Sequence, residues 1–390
     1  MDAERKTSTV SERLIHPAYQ LIKTGAAIQR SDLVRELSIS PSTASNLVRT
    51  LVERGLVREA ELRRATGGRP ARKLEPVDEA DVVAVAEIGT RHIRYWIVNS
   101  LESIDEAREI SFERLDSPRD TIETMLGLWN DLRDELFPGA KIVAYGISVS
   151  APVDSATQRI IMPARMVGWH DVDLRAIVHE LTGCPAWIEN DARAAALGEI
   201  RSQEGTGTFI YIKAGSGIGG ALVINGEVFA GGGGMAGDVG HARVTAGSDV
   251  TCACGRVGCL EAEASGGAIL RQAREVGLEL ASMSDLVQAT IVQTPDIMTI
   301  IRRSGELVGN ALSPLVNFVN PDEVLVGGSL SSMNTFMSSL RAALFSRASS
   351  TATAKLVIEP ARLGQNSPLM GAARGAYRVL SHERGTSTSE

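Results

Sequence analysis

The sequence predicts an α/β protein in two parts, a small winged helix-turn-helix module ahead of a larger body in which strands alternate with helices. Three observations carry this. After a short helical stretch and a turn, Ser40-Pro41 opens a second amphipathic helix. Apolar runs of strand length recur at residues 81–89, 141–149 and 209–213 and around Val324-Leu325-Val326, with helical patterns between them. Glycine-rich turns close several of those runs, as at residues 214–220 and 327–328.

The 390 residues suffice for about two or three domains with ample core. With 44% hydrophobic and 22% charged residues, the composition is that of an ordinary soluble protein. No apolar run approaches membrane-spanning length, so no membrane partner is expected. Met1-Asp2-Ala3-Glu4-Arg5-Lys6 has no apolar run behind it, so no signal peptide is expected. The four cysteines are too few for a secreted disulfide scaffold, which favours a reducing cytoplasm. The net charge of −7 conceals an asymmetry. Residues 1–80 hold 14 Lys/Arg against 11 Asp/Glu, leaving 26 against 36 for the rest. From Leu62 to Lys73 there are five basic residues and no acidic one. That pattern points to an anionic partner for the front end alone.

Within the front module, Leu33, Val34 and Leu37 share one face of a short helix, and Leu14 to Ile28 can supply the helix before it. In the second helix Ala44, Leu47, Val48, Leu51 and Val52 form the apolar face, and Gly55 ends it. Ser42, Thr43, Ser45, Asn46 and Arg49 lie off that face. Small polar residues at the N-terminal end of the second helix suit base edges in the major groove. Leu56 to Glu59 can pair with Arg72 to Leu74 as a hairpin, a wing that carries Arg64 and Arg69 to phosphates or the minor groove. The competing reading is a three-helix protein-interaction module with a solvated basic loop.

In the body, Asp81 to Gly89 and Ile93 to Val98 read as a strand and its return, Thr121 to Leu136 as a helix, and Lys141 to Val149 as the next strand. Asn190-Asp191 precedes a helix, where it serves as a cap or as site residues. Phe209 to Lys213 is a strand running into Ala214-Gly215-Ser216-Gly217-Ile218-Gly219-Gly220, a hairpin turn or an anion cradle. Gly327-Gly328 closes a late strand, and residues 381–390 read as a disordered tail.

The most specific pattern is His241 followed by Cys252, Cys254 and Cys259. One imidazole and three thiolates satisfy tetrahedral zinc in a closed structural site, and Gly255 and Gly258 let the loop turn. Buried or disulfide-bonded cysteines are the alternative. Cys184 stands apart as a small core residue.

Gly240-His241 followed by Cys252-Ala253-Cys254-Gly255-Arg256-Val257-Gly258-Cys259-Leu260-Glu261 resembles the signature of the ROK family of repressors, open reading frames and sugar kinases. The resemblance implies an actin-like, ribonuclease-H-like pair of lobes with a cleft between them. It implies a winged helix domain over 1–80, a first lobe over 81–197, and a second lobe over 198–390 with the zinc loop and a C-terminal helix returning to the first. It further implies a sugar pocket built from Asn190, Asp191, Asp238, His241 and Glu261. In family kinases the residue matching Asp191 is the general base. The family usually has Glu where this chain has Asp238.

Kinases of the family carry D-x-G-G-T-K at the first strand turn, where this chain reads Glu87-Ile88-Gly89-Thr90-Arg91-His92. A side chain at the second glycine hinders close approach of phosphate to backbone, and phosphoryl transfer depends on that positioning. The resemblance therefore implies a cytoplasmic transcription regulator, a repressor of carbohydrate genes with a sugar or sugar-derivative effector and Asp191 as a vestigial base. Its partners would be a double-stranded operator and a second copy of itself, as a homodimer or higher homo-oligomer. The alternatives are an active ATP-dependent sugar kinase with an appended DNA-binding domain and a co-regulator acting through protein contacts.

Overall fold

The computed structural model describes residues 14, 17–53, 57–61, 72–76, 81–99, 104, 106–112, 117–161, 166, 168–201, 207–245 and 248–386. Residues 17–23 form α1, which ends at a turn where Gly25 takes φ +75°. The helix expected to reach Ile28 is thus shorter. α2 (Arg30–Glu36) starts where Asp32 Oδ2 accepts the Ile28 and Gln29 N–H groups, each at 3.0 Å. α3 (Pro41–Glu53) starts where Ser40 Oγ accepts the Thr43 N–H at 3.1 Å. β1 (Val57–Glu61) and β2 (Arg72–Pro76) pair antiparallel as the stem of a hairpin. Arg64 and Arg69 lie outside the described residues, as does Gly55.

Leu33, Leu47, Val48, Leu51, Val57 and Leu74 make the core of this module. Val52, expected on the buried face, is 40% exposed. At 100° per residue it sits at the outer edge of the stripe begun by Ala44. Lys23 Nζ donates to the Pro138 carbonyl at 3.1 Å, joining the module to the body.

The body holds two five-stranded sheets built to one plan. The first runs β5-β4-β3-β6-β7 and the second β10-β9-β8-β11-β12. In the first, β3 (Asp81–Ile88) pairs antiparallel with β4 (His92–Val98), which pairs with β5 (Arg108–Ser111). On its other side lie β6 (Lys141–Val149) and β7 (Ala186–Asn190), both parallel. In the second, β8 (Phe209–Ala214) pairs antiparallel with β9 (Ile218–Ile224), and β9 with β10 (Glu227–Val228). β11 (Glu323–Gly327) and β12 (Val357–Pro360) follow in parallel. Each sheet thus consists of a central strand, two antiparallel returns and two parallel additions.

β3 is apolar from Val82 to Ala86 and again at Ile88 because both of its faces are covered. Val82, Ala84, Ala86 and Ile88 pack with Ile122, Met125 and Trp129 of α4 (Pro118–Leu136), in the cluster that also holds α5 (Leu174–Thr182). Val83 and Val85 face Leu369, Met370, Ala372, Ala373 and Ala376 near the C-terminus. The helix that starts at the end of β7, α6 (Asp191–Glu199), is buried along its whole length. After β10 come α7 (Leu260–Ala264), α8 (Gly266–Glu275), α9 (Met283–Val292) and the long α10 (Pro295–Val319). α11 (Asn334–Arg347) and the single turn α12 (Ser350–Thr353) precede β12. The last helix, α13 (Ser367–Thr386), returns to the first sheet and crosses α6 so closely that a Cβ on Gly371 would lie 1.7 Å from the Ala194 carbonyl oxygen.

The tail expected from Ser381 is helical as far as Thr386, since Tyr377 and Leu380 continue the apolar face of α13. Cys184 is half-buried, and its Sγ lies 3.4 Å from the Ile142 carbonyl oxygen. Among the described residues no helix is long and apolar enough to cross a membrane.

Candidate functional site

The C-terminal ends of β3, β6, β7 and β8 converge on one cavity, the usual place for ligands in parallel α/β sheets. Asn190 ends β7 and caps α6, its Oδ1 accepting the Ala192 and Arg193 N–H groups at 3.0 and 3.3 Å. Its Nδ2 donates to the Ala151 carbonyl at 3.1 Å. The cap and the cavity position are therefore the same residue. Asp191 is buried, and its Oδ2 accepts from Ser150 Oγ at 2.5 Å and from Lys213 Nζ at 2.7 Å. Lys213, in β8, also donates to Glu87 Oε1 of β3 at 2.7 Å. The other Glu87 oxygen lies 3.6 Å from Arg94 Nη1. Burial opposes the Lys213 charge, but Asp191 and then Glu87 outweigh it and raise the lysine pKa above its ordinary value.

The cavity encloses about 170 Å³ and is lined by Asn190, Asp191, Asp238, His241 and Glu261, with Thr90 at its edge. The structure thus brings together all five residues expected in the sugar pocket. Glu261 Oε2 accepts the Ile218 N–H at 3.1 Å, tying α7 to the glycine turn. Arg193, 3% exposed, pairs with Glu189 Oε1 at 2.5 Å through Nη2 and 2.8 Å through Nε. It also donates to the Val153 and Gly234 carbonyls, and so anchors the 231–234 glycines to the first sheet.

His241, Cys252, Cys254 and Cys259 place one ligand atom each within 4.8 Å of one another. Cys254 and Cys259 sulfurs are 3.8 Å apart, and His241 Nδ1 lies 3.5 Å from Cys252 Sγ. A zinc tetrahedron with bonds of about 2.3 Å to sulfur and about 2.0 Å to nitrogen has sulfur–sulfur edges of about 3.8 Å and sulfur–nitrogen edges of about 3.5 Å. The four side chains therefore fit zinc. Burial pushes the Cys259 thiol up to about 12, with the neighbouring sulfurs adding to it, and burial also raises Cys252. At Cys254 burial is again the largest single influence, but the Arg256 N–H, the Cys252 and Cys259 sulfurs and the Arg256 charge together outweigh it and the thiol is lowered. A bound cation would favour the thiolate at all three. Gly258 holds φ +71° where a Cβ would lie 2.6 Å from the Thr245 carbonyl oxygen, so only glycine closes this loop without strain.

Residues 87–92 form a tight turn in which the Gly89 N–H donates to the His92 carbonyl at 2.9 Å. The Gly215 and Ser216 carbonyls accept the Gly266 and Gly267 N–H groups, at 2.7 and 3.2 Å, at the start of α8. Gly327 packs on Tyr211 of β8 at the strand-to-helix turn. In the front module Ser42, Ser45, Asn46 and Arg49 are exposed along α3, and Thr43 is half-buried. Ser40 Oγ lies 2.8 Å from both Ser42 Oγ and Thr43 Oγ1.

Residues 83–378 match the ROK family, and residues 21–61 match the IclR helix-turn-helix domain. The chain belongs to the ROK family. The xylose repressor of Bacillus subtilis (strain 168) is 26% identical over 356 residues, covering 90% of this chain and 91% of its own. A crystal structure of a ROK family transcriptional regulator, a homologue of the E. coli MLC protein, aligns with a TM-score of 0.65 at 22% identity. It covers 93% of this chain and 95% of its own. The ROK family glucokinase from Streptomyces griseus, solved with glucose and AMPPNP, aligns with a TM-score of 0.65 at 24% identity, covering 76% of this chain and 99% of its own. These likenesses establish the two-lobed ROK fold.

Lys213, Ser150 and Arg193 belong to the site without standing out in the sequence. Lys213 had a signal, being the only charge in the otherwise apolar strand Phe209 to Lys213. A buried lysine needs a buried anion, and the chain offers Glu87 and Asp191.

Proposed function

We propose that this chain is a sugar-responsive DNA-binding transcription repressor. The observation that carries the reading is the union, in one chain, of an IclR-type helix-turn-helix with a ROK body, matched along 90% of its length by a xylose repressor. On this reading the units divide at 1–80, 81–197 and 198–390, and the protein works in the cytoplasm. Ser42, Thr43, Ser45, Asn46 and Arg49 face an operator, with Arg64 and Arg69 on the wing. Asn190, Asp191, Asp238, His241 and Glu261 hold a sugar or sugar derivative. Zinc at His241, Cys252, Cys254 and Cys259 would order the loop that carries two of those contacts, which is a structural and not a catalytic service.

The chemistry supports a sensor and not a kinase. Asp191 has one oxygen already occupied by Ser150 and Lys213, so it is poorly placed to take a proton from a sugar hydroxyl. Thr90 stands where ROK kinases carry the second glycine of the phosphate turn, and Arg91 stands where they carry threonine. Homodimers place two α3 helices on half-sites about 10 bp apart or a multiple of that. Ligand would alter DNA affinity only by favouring one lobe arrangement over another.

The test is fluorescence anisotropy against the gene's own upstream DNA, with and without a sugar chosen by thermal shift. The expected result is release of DNA by the sugar. Equal affinity with the site saturated refutes the reading. The kinase alternative draws on the glucokinase likeness and on Asp191 facing the cavity. Turnover in a coupled assay that Asp191→Ala abolishes would establish it.

A further inference from the structure

The floor of the cavity holds an arrangement that sugar binding does not require. Lys213 rises from β8 in the second sheet. Its ammonium meets Glu87 Oε1, from β3 in the first sheet, and Asp191 Oδ2, from the start of α6, at 2.7 Å each. Both carboxylates are nearly closed to solvent, with side-chain exposures of 8% and 11%. Two such groups sharing a site repel unless a cation sits between them. Arg94 supplies part of that charge, but only at 3.6 Å, and its guanidinium is also held by the Gln365 and Asn366 oxygens. Among the described residues the other hydrogen-bond partners of Asp191 are neutral, namely Ser150 Oγ and Asn190 Nδ2.

We infer that Lys213 is a tethered counter-ion: its ammonium takes the seat between Glu87 and Asp191 that a divalent cation would otherwise fill, and it ties the two sheets together across the cavity floor. The geometry suits this role. Two carboxylate oxygens from different elements, each at ordinary ion-pair distance from one point, form the beginning of a hard-cation site. A lysine in that place neutralises the pair without any exchange with solvent. It also fixes the orientation of Asp191, leaving Oδ1 turned to Asn190 Nδ2 at 3.3 Å. Lys213 is therefore a positioning residue for Asp191. The raised lysine pKa is in keeping with this, since an ammonium held by two anions keeps its proton. If the cleft takes a sugar as proposed above, it does so with no need for magnesium at this seat. The counter-ion role itself does not depend on the sugar-sensing reading.

The experiment is Mn2+ binding, followed by loss of the free-ion electron paramagnetic resonance signal, on full-length zinc-loaded protein. Thiolate and imidazole ligands favour zinc over manganese, and constant zinc content in each sample checks that the two sites stay separate. Wild type is expected to take up no Mn2+ at this place. Lys213→Met, of similar length and no charge, is expected to bind one Mn2+ at least about tenfold more tightly than wild type. Mg2+ should compete for it, and adding Glu87→Gln should abolish it. Lys213→Arg should restore the wild-type behaviour. If the Met side chain prevents folding, Lys213→Thr makes the same comparison with a shorter side chain. Mn2+ uptake equal in wild type and variants, or no gain in either Lys213 variant, overturns the proposal. None of these readings involves a sugar or DNA, so failure here is distinct from failure of the repressor assignment.

Discussion

His241 and Cys252 approach to 3.5 Å between Nδ1 and Sγ, while the other ring nitrogen of His241 faces Asp238 at 3.9 Å. One imidazole thus links the cysteine cluster to the cavity. If zinc occupies the cluster, it fixes the tautomer and the ring plane, and with them the edge the cavity sees. Purified protein is expected to contain one zinc per chain by elemental analysis. Cys254→Ala should remove it and lower the melting temperature by several degrees. It should also weaken sugar binding, because Glu261 lies two residues beyond Cys259. Metal-free protein with unchanged melting would reject the assignment.

A second prediction concerns Gly240, which precedes that histidine. A Cβ there would lie 2.1 Å from the Ile218 carbonyl oxygen, a backbone atom that cannot swing aside. The Ile218 N–H in turn donates to Glu261. Gly240→Ala should cost about 1–3 kcal/mol in chemical denaturation and loosen Glu261 and His241 together. The zinc content should survive, since no ligand is removed. Wild-type stability and sugar affinity in this variant would contradict the close approach.

Much of this was legible in the sequence, and the exceptions share a cause. β3, β6 and β8 show as largely apolar runs because both sheet faces are covered, and the spacing of His241 and the three cysteines marks their cluster directly. Asn190 and Asp191 stand out only through the resemblance to the family motif, and the structure puts both on the cavity. What escaped was pairing between residues far apart in the chain. Lys213 reaches Glu87 across 126 positions, and Arg193 reaches Val153 across 40. No local pattern encodes such partners. The extent of α13 is hidden for the same reason, since Tyr377 and Leu380 pack in the cluster of Val83 and Val85 nearly three hundred residues earlier.

The DNA prediction rests on Arg49, exposed on α3 beyond the buried stripe of Leu47, Val48 and Leu51. Arg49→Ala should weaken operator binding by about tenfold, or 1–3 kcal/mol if it reads a base edge. If it contacts phosphate instead, non-specific DNA should lose equally and the salt dependence should flatten. Anisotropy titrations at several salt concentrations distinguish these outcomes. The side chain supports no part of the core, so folding should be unaffected. Undiminished affinity would remove α3 from the groove.

The last prediction concerns the buried pair Arg193–Glu189, which anchors the glycine loop of the second sheet to the first. Arg193 and Glu189 side chains are 3% and 14% exposed, and the guanidinium also serves the Val153 and Gly234 carbonyls. Removing the cation strands a carboxylate and two carbonyls away from water. Arg193→Met should therefore cost about 3–5 kcal/mol at neutral pH. The pH dependence follows from Glu189. Burial raises its pKa above the ordinary carboxylate value, and Arg193 offsets only part of that. A carboxyl with a raised folded pKa contributes most below its unfolded value and loses that contribution as pH rises through the folded one. Without Arg193 the folded pKa climbs further, so the loss at neutral pH deepens while acid, which neutralises Glu189, relieves it. The variant's deficit should shrink as pH falls from 7.5 towards 5, measured by urea denaturation at each pH. Glu189→Gln added to Arg193→Met should recover part of the stability at neutral pH, because a neutral amide is less costly to bury than an unpaired charge. A deficit independent of pH, or no recovery with Gln, would mean that packing and not charge holds the loop.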